Sequence, residues 1–202
     1  MRVAVTGTPG TGKTTTVEAA DTGLEVVHLN DLIREGDLSI GEDPDRGSLV
    51  ADLDAIADRL AGREDILVES HLAHHLEADR VVVLRCHPES LCDRLLDRGE
   101  ARATPEGNAE SATPPRGPDR KAGDNDGSPR PPRALDRKAR ENAEAEALDV
   151  VLSEAVGEHG REAVYEIDTT DRSPAAVAAD LEAVVAGDRE PTAGTVDFTD
   201  YL

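Results

Sequence analysis

Five short runs of apolar and β-branched residues alternate with longer segments in which apolar residues recur every three to four positions. Each short run has the length of a β-strand, and the intervening spacing is typical of amphipathic helices. Strands that alternate with helices predict an α/β fold, a five-stranded parallel sheet with helices on both faces. The predicted strands span residues 2–6, 25–29, 65–69, 80–85 and 163–168.

The segments between these strands predict helices. In residues 48–60, for example, the apolar side chains of Leu53, Ile56 and Leu60 repeat at the spacing of one helix face. The predicted helices span residues 15–20, 31–35, 48–60, 88–98, 135–156 and 174–186.

Residues 100–132 interrupt the alternation. They contain seven of the twelve prolines and almost no large apolar side chain. Such a segment cannot bury enough apolar surface to offset the entropy of ordering it, so we expect a disordered insertion. The tail, residues 188–202, is also polar, yet it carries Phe198 and Tyr201, two of the three aromatic residues. The tail therefore either docks on the domain or on a partner, or is disordered.

A complete phosphate-binding motif follows the first predicted strand. Residues 7–14 read G-T-P-G-T-G-K-T, which matches G-x-x-x-x-G-K-[ST] between a strand and a helix. The glycines let backbone N–H groups face a polyphosphate, and Lys13 can reach its β- and γ-phosphates. The Thr14 hydroxyl can bind Mg²⁺. The motif predicts a P-loop NTPase that binds a nucleoside triphosphate.

Two side chains after the third predicted strand are candidates for catalysis. Glu69 and His71 lie at the carboxyl end of that strand, where an open parallel sheet forms its ligand crevice. Glu69 is suitably placed to hold Mg²⁺ or its waters, or it is a capping or ion-pairing residue. His71 orients a water or contacts a phosphate, or it is a packing histidine.

Polar and basic residues form two further candidate groups. Asn30 and Arg34 belong to residues 30–53, the region that closes over the phosphate acceptor in small kinases. Arg34 can clamp a monophosphate through paired hydrogen bonds, or it is a solvated surface residue. The second group flanks the insertion and predicts a lid over about residues 98–140, or else a set of ion pairs along a helix. Its members are Arg98, Arg133, Arg137, Lys138 and Arg140.

Composition narrows the possible environments and partners. The 202 residues carry a formal net charge of −21, with 43 acidic and 22 basic side chains, of which three are lysines. Concentrated salt screens such a charge, so the composition resembles that of a cytoplasmic protein of a salt-accumulating halophile. Because no basic stripe is present, we expect no DNA-binding surface. We also expect no membrane association, because no apolar run is long enough to span a bilayer.

Beyond the P-loop, blocks such as V-E-S-H-L-A-H and K-A-R-E-N-A-E-A-E resemble the archaeal and eukaryotic nuclear-type adenylate kinases. With its acidic composition the chain resembles a haloarchaeal member of that family. The resemblance covers nearly the whole chain except the insertion. The blocks that carry it are residues 7–15, 68–74, 82–85, 95–99, 138–146, 167–171 and 194–198.

The resemblance implies a nucleoside monophosphate kinase that transfers phosphate reversibly from ATP to AMP with Mg²⁺ and hydrolyses ATP slowly. It also implies binding to a small-subunit ribosomal protein and to pre-ribosomal particles during 16S rRNA maturation. Residues 1–187 would be the kinase domain. Glu69 and His71 would take the place of the family's acidic-x-His motif, and Arg98 would be the lid arginine at the nucleotide. The residues expected to bind ATP are Gly10, Gly12, Lys13, Thr14, Thr15 and Arg98, and the expected catalytic residues are Lys13, Glu69, His71 and Arg98. Mg²⁺ is expected at Thr14 and Glu69. The phosphate acceptor is expected to contact Asn30, Arg34 and Lys138.

One departure from the family pattern leaves two candidates for the lid arginine. The family follows its Arg-Gly pair directly with the Lys…Asn block, whereas here about thirty residues intervene, so the lid arginine is Arg98 or Arg133. Two other functions remain alternatives. One is a ribosome-assembly ATPase switch for which AMP phosphorylation is incidental. The other is a small-metabolite kinase of the shikimate or dephospho-coenzyme A type.

Overall fold

The computed structural model describes residues 1–43, 48–103 and 133–202. The strands are β1 Arg2–Thr6, β2 Glu25–His28, β3 Ser39–Asp43, β4 Ser48–Ala51, β5 Ile66–Glu69, β6 Arg80–Arg85 and β7 Val164–Asp168. The helices are α1 Lys13–Ala19, α2 Leu29–Gly36, α3 Leu53–Leu60, α4 Pro88–Ala103, α5 Arg133–Ala147, α6 Val150–His159 and α7 Pro174–Ala186.

Five of the strands form one parallel sheet in the order β2-β5-β1-β6-β7. This confirms the predicted α/β architecture with a five-stranded parallel sheet. β1 lies in the middle, with Val5 beside Glu69 of β5 and beside Val82 of β6. The P-loop after β1 therefore emerges at the centre of the carboxyl edge, where parallel α/β sheets bind their ligands.

The sheet is apolar on both faces because helices cover both. Successive side chains of a strand point to opposite faces, so a doubly covered strand is apolar at every position. In β6, Val82 and Leu84 pack with Val3 of β1 in one core cluster. Val81 and Val83 pack in the other cluster. All of these side chains are at most 1% exposed.

The helix predicted over residues 48–60 is wrong in its first part. Residues 48–51 form β4, which pairs antiparallel with β3, a strand that the sequence analysis missed. The helix begins only after Asp52, whose carboxylate accepts a hydrogen bond from the Ala55 N–H and caps α3. Short apolar runs fit the helix and strand periods equally well, and the Asp52 cap was the signal that separates them.

The helix predicted over residues 135–156 is two helices. α5 ends at Ala147 and α6 begins at Val150. Asp149 between them has a left-handed backbone with φ of 53°. Its carboxylate pairs with Arg85 at the end of β6. An ion pair between residues far apart in the chain therefore holds the junction between α5 and α6, and no local sequence pattern predicts it.

Helix α4 is longer than expected. Residues 100–103, predicted to belong to the disordered insertion, continue α4 to Ala103. Residues 104–132 lie outside the described part of the chain, as do residues 44–47 of the region predicted to close over the acceptor.

A buried ion cluster joins β6, α5 and β7. Arg85 is 1% exposed and donates to Glu146 of α5 at 2.7 Å and to Glu166 of β7 at 2.6 Å. It also pairs with Asp149. Burial alone lowers the pKa of Arg85, but the carboxylates of Glu146 and Asp149 more than offset this and raise it. Three elements thus share one buried cation.

The tail lies against the sheet. The Thr192 N–H donates to the Val164 carbonyl at 3.1 Å, and the Thr195 N–H donates to the Glu166 carboxylate at 2.6 Å. The Phe198 ring centroid lies 5.4 Å from the Arg85 guanidinium carbon, within cation–π range. Of the open alternatives for the tail, the structure therefore has it docked on its own domain. Among the described helices, none is both long and apolar enough to cross a membrane.

Candidate active site

The P-loop needs glycine where its backbone passes close to neighbouring elements. Gly7 has φ of 141°, and a Cβ there would overlap the Leu84 carbonyl oxygen of β6. Gly10 has φ of 102°, and a Cβ there would lie 2.8 Å from the Leu91 side chain of α4. Both positions therefore exclude a side chain. The loop can pass beneath α4 and still present its N–H groups to a ligand.

Lys13 begins α1 and folds back over the loop. Its Nζ donates to the carbonyls of Gly7 at 2.8 Å and Thr8 at 3.1 Å, and the residue is 8% exposed. Burial lowers the pKa of Lys13 to about 8, while the charges of Glu69 and Glu146 oppose that shift. A desolvated ammonium in this position interacts strongly with a phosphate anion, since little water screens it.

Glu69 ends β5 beside the P-loop and is 4% exposed. The Thr14 hydroxyl donates to its Oε1 at 3.3 Å, and His28 Nδ1 lies 3.0 Å from its Oε2. The sequence analysis predicted the proximity of Thr14 and Glu69 but missed His28. The missed signal was the register, because His28 ends β2 directly beside Glu69. This cluster places a hydroxyl and a carboxylate oxygen together, the hard oxygen donors that suit Mg²⁺.

His71 lies at the mouth of the cleft, exposed on its open side. The surrounding protein partly desolvates the ring, which lowers its pKa to about 4, and the Lys13 ammonium adds to the shift. The ring is therefore neutral near neutral pH. A neutral imidazole can donate or accept a hydrogen bond there, but it adds no positive charge over a phosphate.

Two cavities lined by described residues meet at the P-loop. The first, of about 460 Å³, lies between the loop, α4 and the start of α7. The second, of about 380 Å³, lies between the loop, α2 and α5. Gly10 and Arg98 line both cavities. The other candidate residues in the first are Gly12 and Thr15, and those in the second are Lys13, Thr14, Asn30, Glu69, His71 and Lys138.

Arg34 and Arg133 differ from the other predicted cations. Arg34 lies on the exposed face of α2, 3.5 Å from Asp31, and lines neither cavity. Arg133 is the first residue of α5, and its side chain lies outside the described part of the chain. Arg98, in contrast, lines both cavities and acts on the pKa of Lys13. Of the two candidates for the lid arginine, only Arg98 is thus placed by a described side chain.

Similarity to known proteins agrees with this geometry. Residues 3–114 match the family of the AAA domain. A protein of Natronomonas pharaonis named "Putative adenylate kinase" is 57% identical over the full length of both chains. Proteins of the same name are 55% identical in Halobacterium salinarum, again over both full lengths, and 39% identical in Methanothermobacter thermautotrophicus, over 99% of this chain and 98% of that relative. The chain belongs to the adenylate kinase-like family.

Membership in this kinase family makes the chain a phosphotransferase with a nucleotide substrate, and the resemblance to adenylate kinases is thereby confirmed at the level of the family. Both cavities are candidate nucleotide sites.

Arg94 also lines the first cavity and was not predicted from the sequence. It donates to the Thr169 hydroxyl at 3.2 Å and the Thr169 carbonyl at 2.9 Å. This contact fixes α4 to the loop that follows β7.

The attachment of α5 to the P-loop is a further feature that the sequence did not predict. The Thr8 hydroxyl donates to Oε2 of Glu146. The same carboxylate accepts from Arg85 through Oε1. Glu146 is part of the K-A-R-E-N-A-E-A-E block, so its presence was visible, but its partners are 61 and 138 residues away in the chain. This adenylate kinase-like protein thus connects its P-loop to α5 through one buried carboxylate.

Proposed function

We propose that this protein is an adenylate kinase of broad monophosphate specificity that catalyses ATP + AMP = 2 ADP. The observation that carries the proposal is the pair of cavities sharing Gly10 and Arg98. An enzyme that only hydrolyses ATP needs one nucleotide site, whereas transfer between two nucleotides needs two sites that meet where the phosphoryl group moves. The family membership supports the same reaction.

In this proposal the first cavity holds the nucleoside of ATP, and its triphosphate lies in the P-loop. Gly10, Gly12 and Thr15 bind it through the loop and the start of α1, and Lys13 neutralises the β- and γ-phosphates. Thr14 and Glu69 would hold Mg²⁺, because both offer oxygen atoms to one point beside the loop. Bound there, the ion would neutralise charge on the phosphate oxygens during transfer.

The acceptor monophosphate would occupy the second cavity. Asn30 of α2 and Lys138 of α5 line it, and Arg34 would reach its phosphate only if residues 30–53 close over the cavity. His71, as a neutral ring, would position a phosphate oxygen or a water by a hydrogen bond. Arg98 would bridge donor and acceptor as the cation of a lid over about residues 98–140. The kinase domain would then span residues 1–187, with residues 188–202 as its docked tail.

The stoichiometry of the products tests this proposal. We would incubate the protein with ATP, Mg²⁺ and each nucleoside monophosphate in concentrated KCl, and measure nucleotides and inorganic phosphate. Two ADP per ATP consumed, with little phosphate, is expected with AMP. Arg98→Met should slow this transfer, whereas Arg63→Met, which removes a surface partner of Glu25 away from both cavities, should not. One phosphate released per ATP at a rate independent of AMP would overturn the proposal.

We also propose, from the resemblance to the nuclear-type family, a slow ATPase activity and a cytoplasmic role in small-subunit maturation and 16S rRNA processing. The net charge of −21 supports a basic ribosomal protein as the transient partner rather than DNA. It also supports function in a salt-rich cytoplasm. If ATP hydrolysis increases when a purified small-subunit ribosomal protein is added in concentrated KCl, this role gains support; an unchanged rate and no co-sedimentation with pre-ribosomal particles would oppose it.

A further inference from the structure

Two histidines and a glutamate meet behind the P-loop, outside both nucleotide cavities. His74 and His75 lie in a short 3₁₀ turn, Ala73–His75, that follows Glu69 and His71. The turn packs against α6, which carries Glu154. One ligand atom of each of these three residues lies within 4.8 Å of the other two. We propose that His74, His75 and Glu154 form a binding site for a divalent transition metal ion, with Zn²⁺ as the best match to its ligands.

The donor set and its spacing fit that ion. Zn²⁺ binds imidazole nitrogens and carboxylate oxygens at about 2.0–2.2 Å, so two ligand atoms of a tetrahedral site lie about 3.3 Å apart. His74 Nε2 lies 3.2 Å from Oε2 of Glu154. Small side-chain movements would bring the partly exposed His75 to the same point, since its ligand atom lies within 4.8 Å of those of His74 and Glu154. Two imidazoles and one carboxylate leave a fourth position for water.

The outer partners orient both rings. His74 Nδ1 lies 2.8 Å from the Thr6 hydroxyl, and that hydroxyl donates to the His71 carbonyl at 3.3 Å. In the metal-bound form, Nδ1–H would donate to the Thr6 hydroxyl, which leaves the Nε2 lone pair of His74 free for the ion. His75 Nδ1 lies 2.6 Å from Oε1 of Glu158, one turn further along α6. Such outer hydroxyls and carboxylates are typical behind metal-binding histidines.

Burial and access also suit a bound ion. His74 is buried, with only 1% of the residue exposed, so its surroundings hold the ring in place. The side chain of Glu154 is 48% exposed, so an ion can enter from solvent. The site joins the turn after His71 to α6, and Thr6 immediately precedes the P-loop. A metal here would therefore stabilise the rear of the nucleotide site without taking part in phosphoryl transfer.

Metal titration of the nucleotide-free protein tests the site. The full chain would be treated with EDTA, dialysed into concentrated KCl and titrated with ZnCl₂ by calorimetry, with thermal unfolding measured in parallel. We expect one Zn²⁺ per chain and a higher melting temperature, and no such effect from MgCl₂ at the same concentration. Co²⁺ should give the visible absorption of a tetrahedral nitrogen–oxygen site.

Variants locate the binding. Glu154→Gln changes a partly exposed side chain, so the fold should survive, and Zn²⁺ affinity should fall by on the order of tenfold or more. His75→Gln should do the same, whereas His87→Gln, which removes a histidine that packs on Phe198 elsewhere, should bind Zn²⁺ as tightly as the wild type. Absence of stoichiometric Zn²⁺ binding, or equal binding by Glu154→Gln, would overturn the proposal and leave a hydrogen-bonded cluster that only fastens the turn to α6.

Discussion

Replacing Arg85 by methionine is expected to cost far more stability than the loss of one side chain usually does. The change keeps an unbranched apolar stem but removes a guanidinium that contacts Glu146 at 2.7 Å and Glu166 at 2.6 Å. Glu146 and Glu166 are 3% and 2% exposed, so water cannot replace the lost partner. The variant therefore leaves two buried carboxylates without their cation.

The expected magnitude follows from that burial. Removing one partner of a buried ion pair costs about 3–5 kcal/mol, chiefly because the remaining charge is uncompensated. For a chain of this size each kcal/mol lowers the melting temperature by about 2–4 °C, so we expect a decrease of roughly 6–20 °C. Because a typical unfolding free energy is about 5–15 kcal/mol, the variant would lose a large fraction of it.

Urea unfolding followed by circular dichroism at about 1 M KCl would measure the loss, under conditions in which surface charges are screened within about 3 Å. Arg63→Met is the matched control, since Arg63 pairs with Glu25 at 2.7 Å at the surface, and it should cost less than about 1 kcal/mol. An unfolding free energy for Arg85→Met within about 1 kcal/mol of the control would refute the reasoning that this cluster is held together by a desolvated cation.

Four further predictions concern the site and its surroundings. Lys13→Ala should reduce AMP-dependent ADP formation by on the order of 10²-fold or more in a coupled assay, and near-normal turnover would remove Lys13 from the mechanism. In the folded protein the pKa of His71 is lowered to about 4, so as the pH falls below about 6.5 the unfolded chain binds a proton at this residue before the folded protein does. The free energy of unfolding should therefore decrease between about pH 6.5 and 4. Urea titrations should show a less steep decrease in His71→Asn. Burial raises the pKa of the Cys86 thiol, so iodoacetamide should modify Cys86 only after unfolding, as mass spectrometry would detect. Fast labelling of Cys86 in the native protein would contradict its burial. Replacing residues 104–132 by a flexible linker of about ten Gly and Ser residues should leave a cooperative unfolding transition in concentrated KCl, because loop-closure entropy changes only logarithmically with length. A loss of cooperativity would show that the segment is structural.

Much of the fold could be predicted because its signals are periodic and local. β6 is apolar at every central position since both faces of the sheet are covered, and that pattern is visible in the sequence itself. The errors occurred where a local pattern fits two structures. Residues 48–51 fit a helix and a strand equally, and pairing with β3 decides for the strand. The break at Asp149 depends on Arg85, more than sixty residues earlier in the chain.

The candidate site divides in the same way. The P-loop is contiguous, so its glycines, Lys13 and Thr14 could be assigned from eight residues of sequence. The lid could not, because a side chain on a helix reaches a cleft only if the helix is docked in one orientation. Arg34 and Lys138 were both predicted to bind the phosphate acceptor. Of these two described side chains, only Lys138 lines a cavity.

The sequence by itself determined the class of fold, the phosphate-binding loop and the net negative charge, since each depends on neighbouring residues or on composition. Only the tertiary structure decided which polar groups share a buried environment. Strand register places His28 on Glu69, helix docking places Glu146 between Thr8 and Arg85, and the turn after His71 brings His74 to Glu154. These contacts join residues far apart in the chain, and the free energy that selects them comes from packing the whole domain rather than from any local preference.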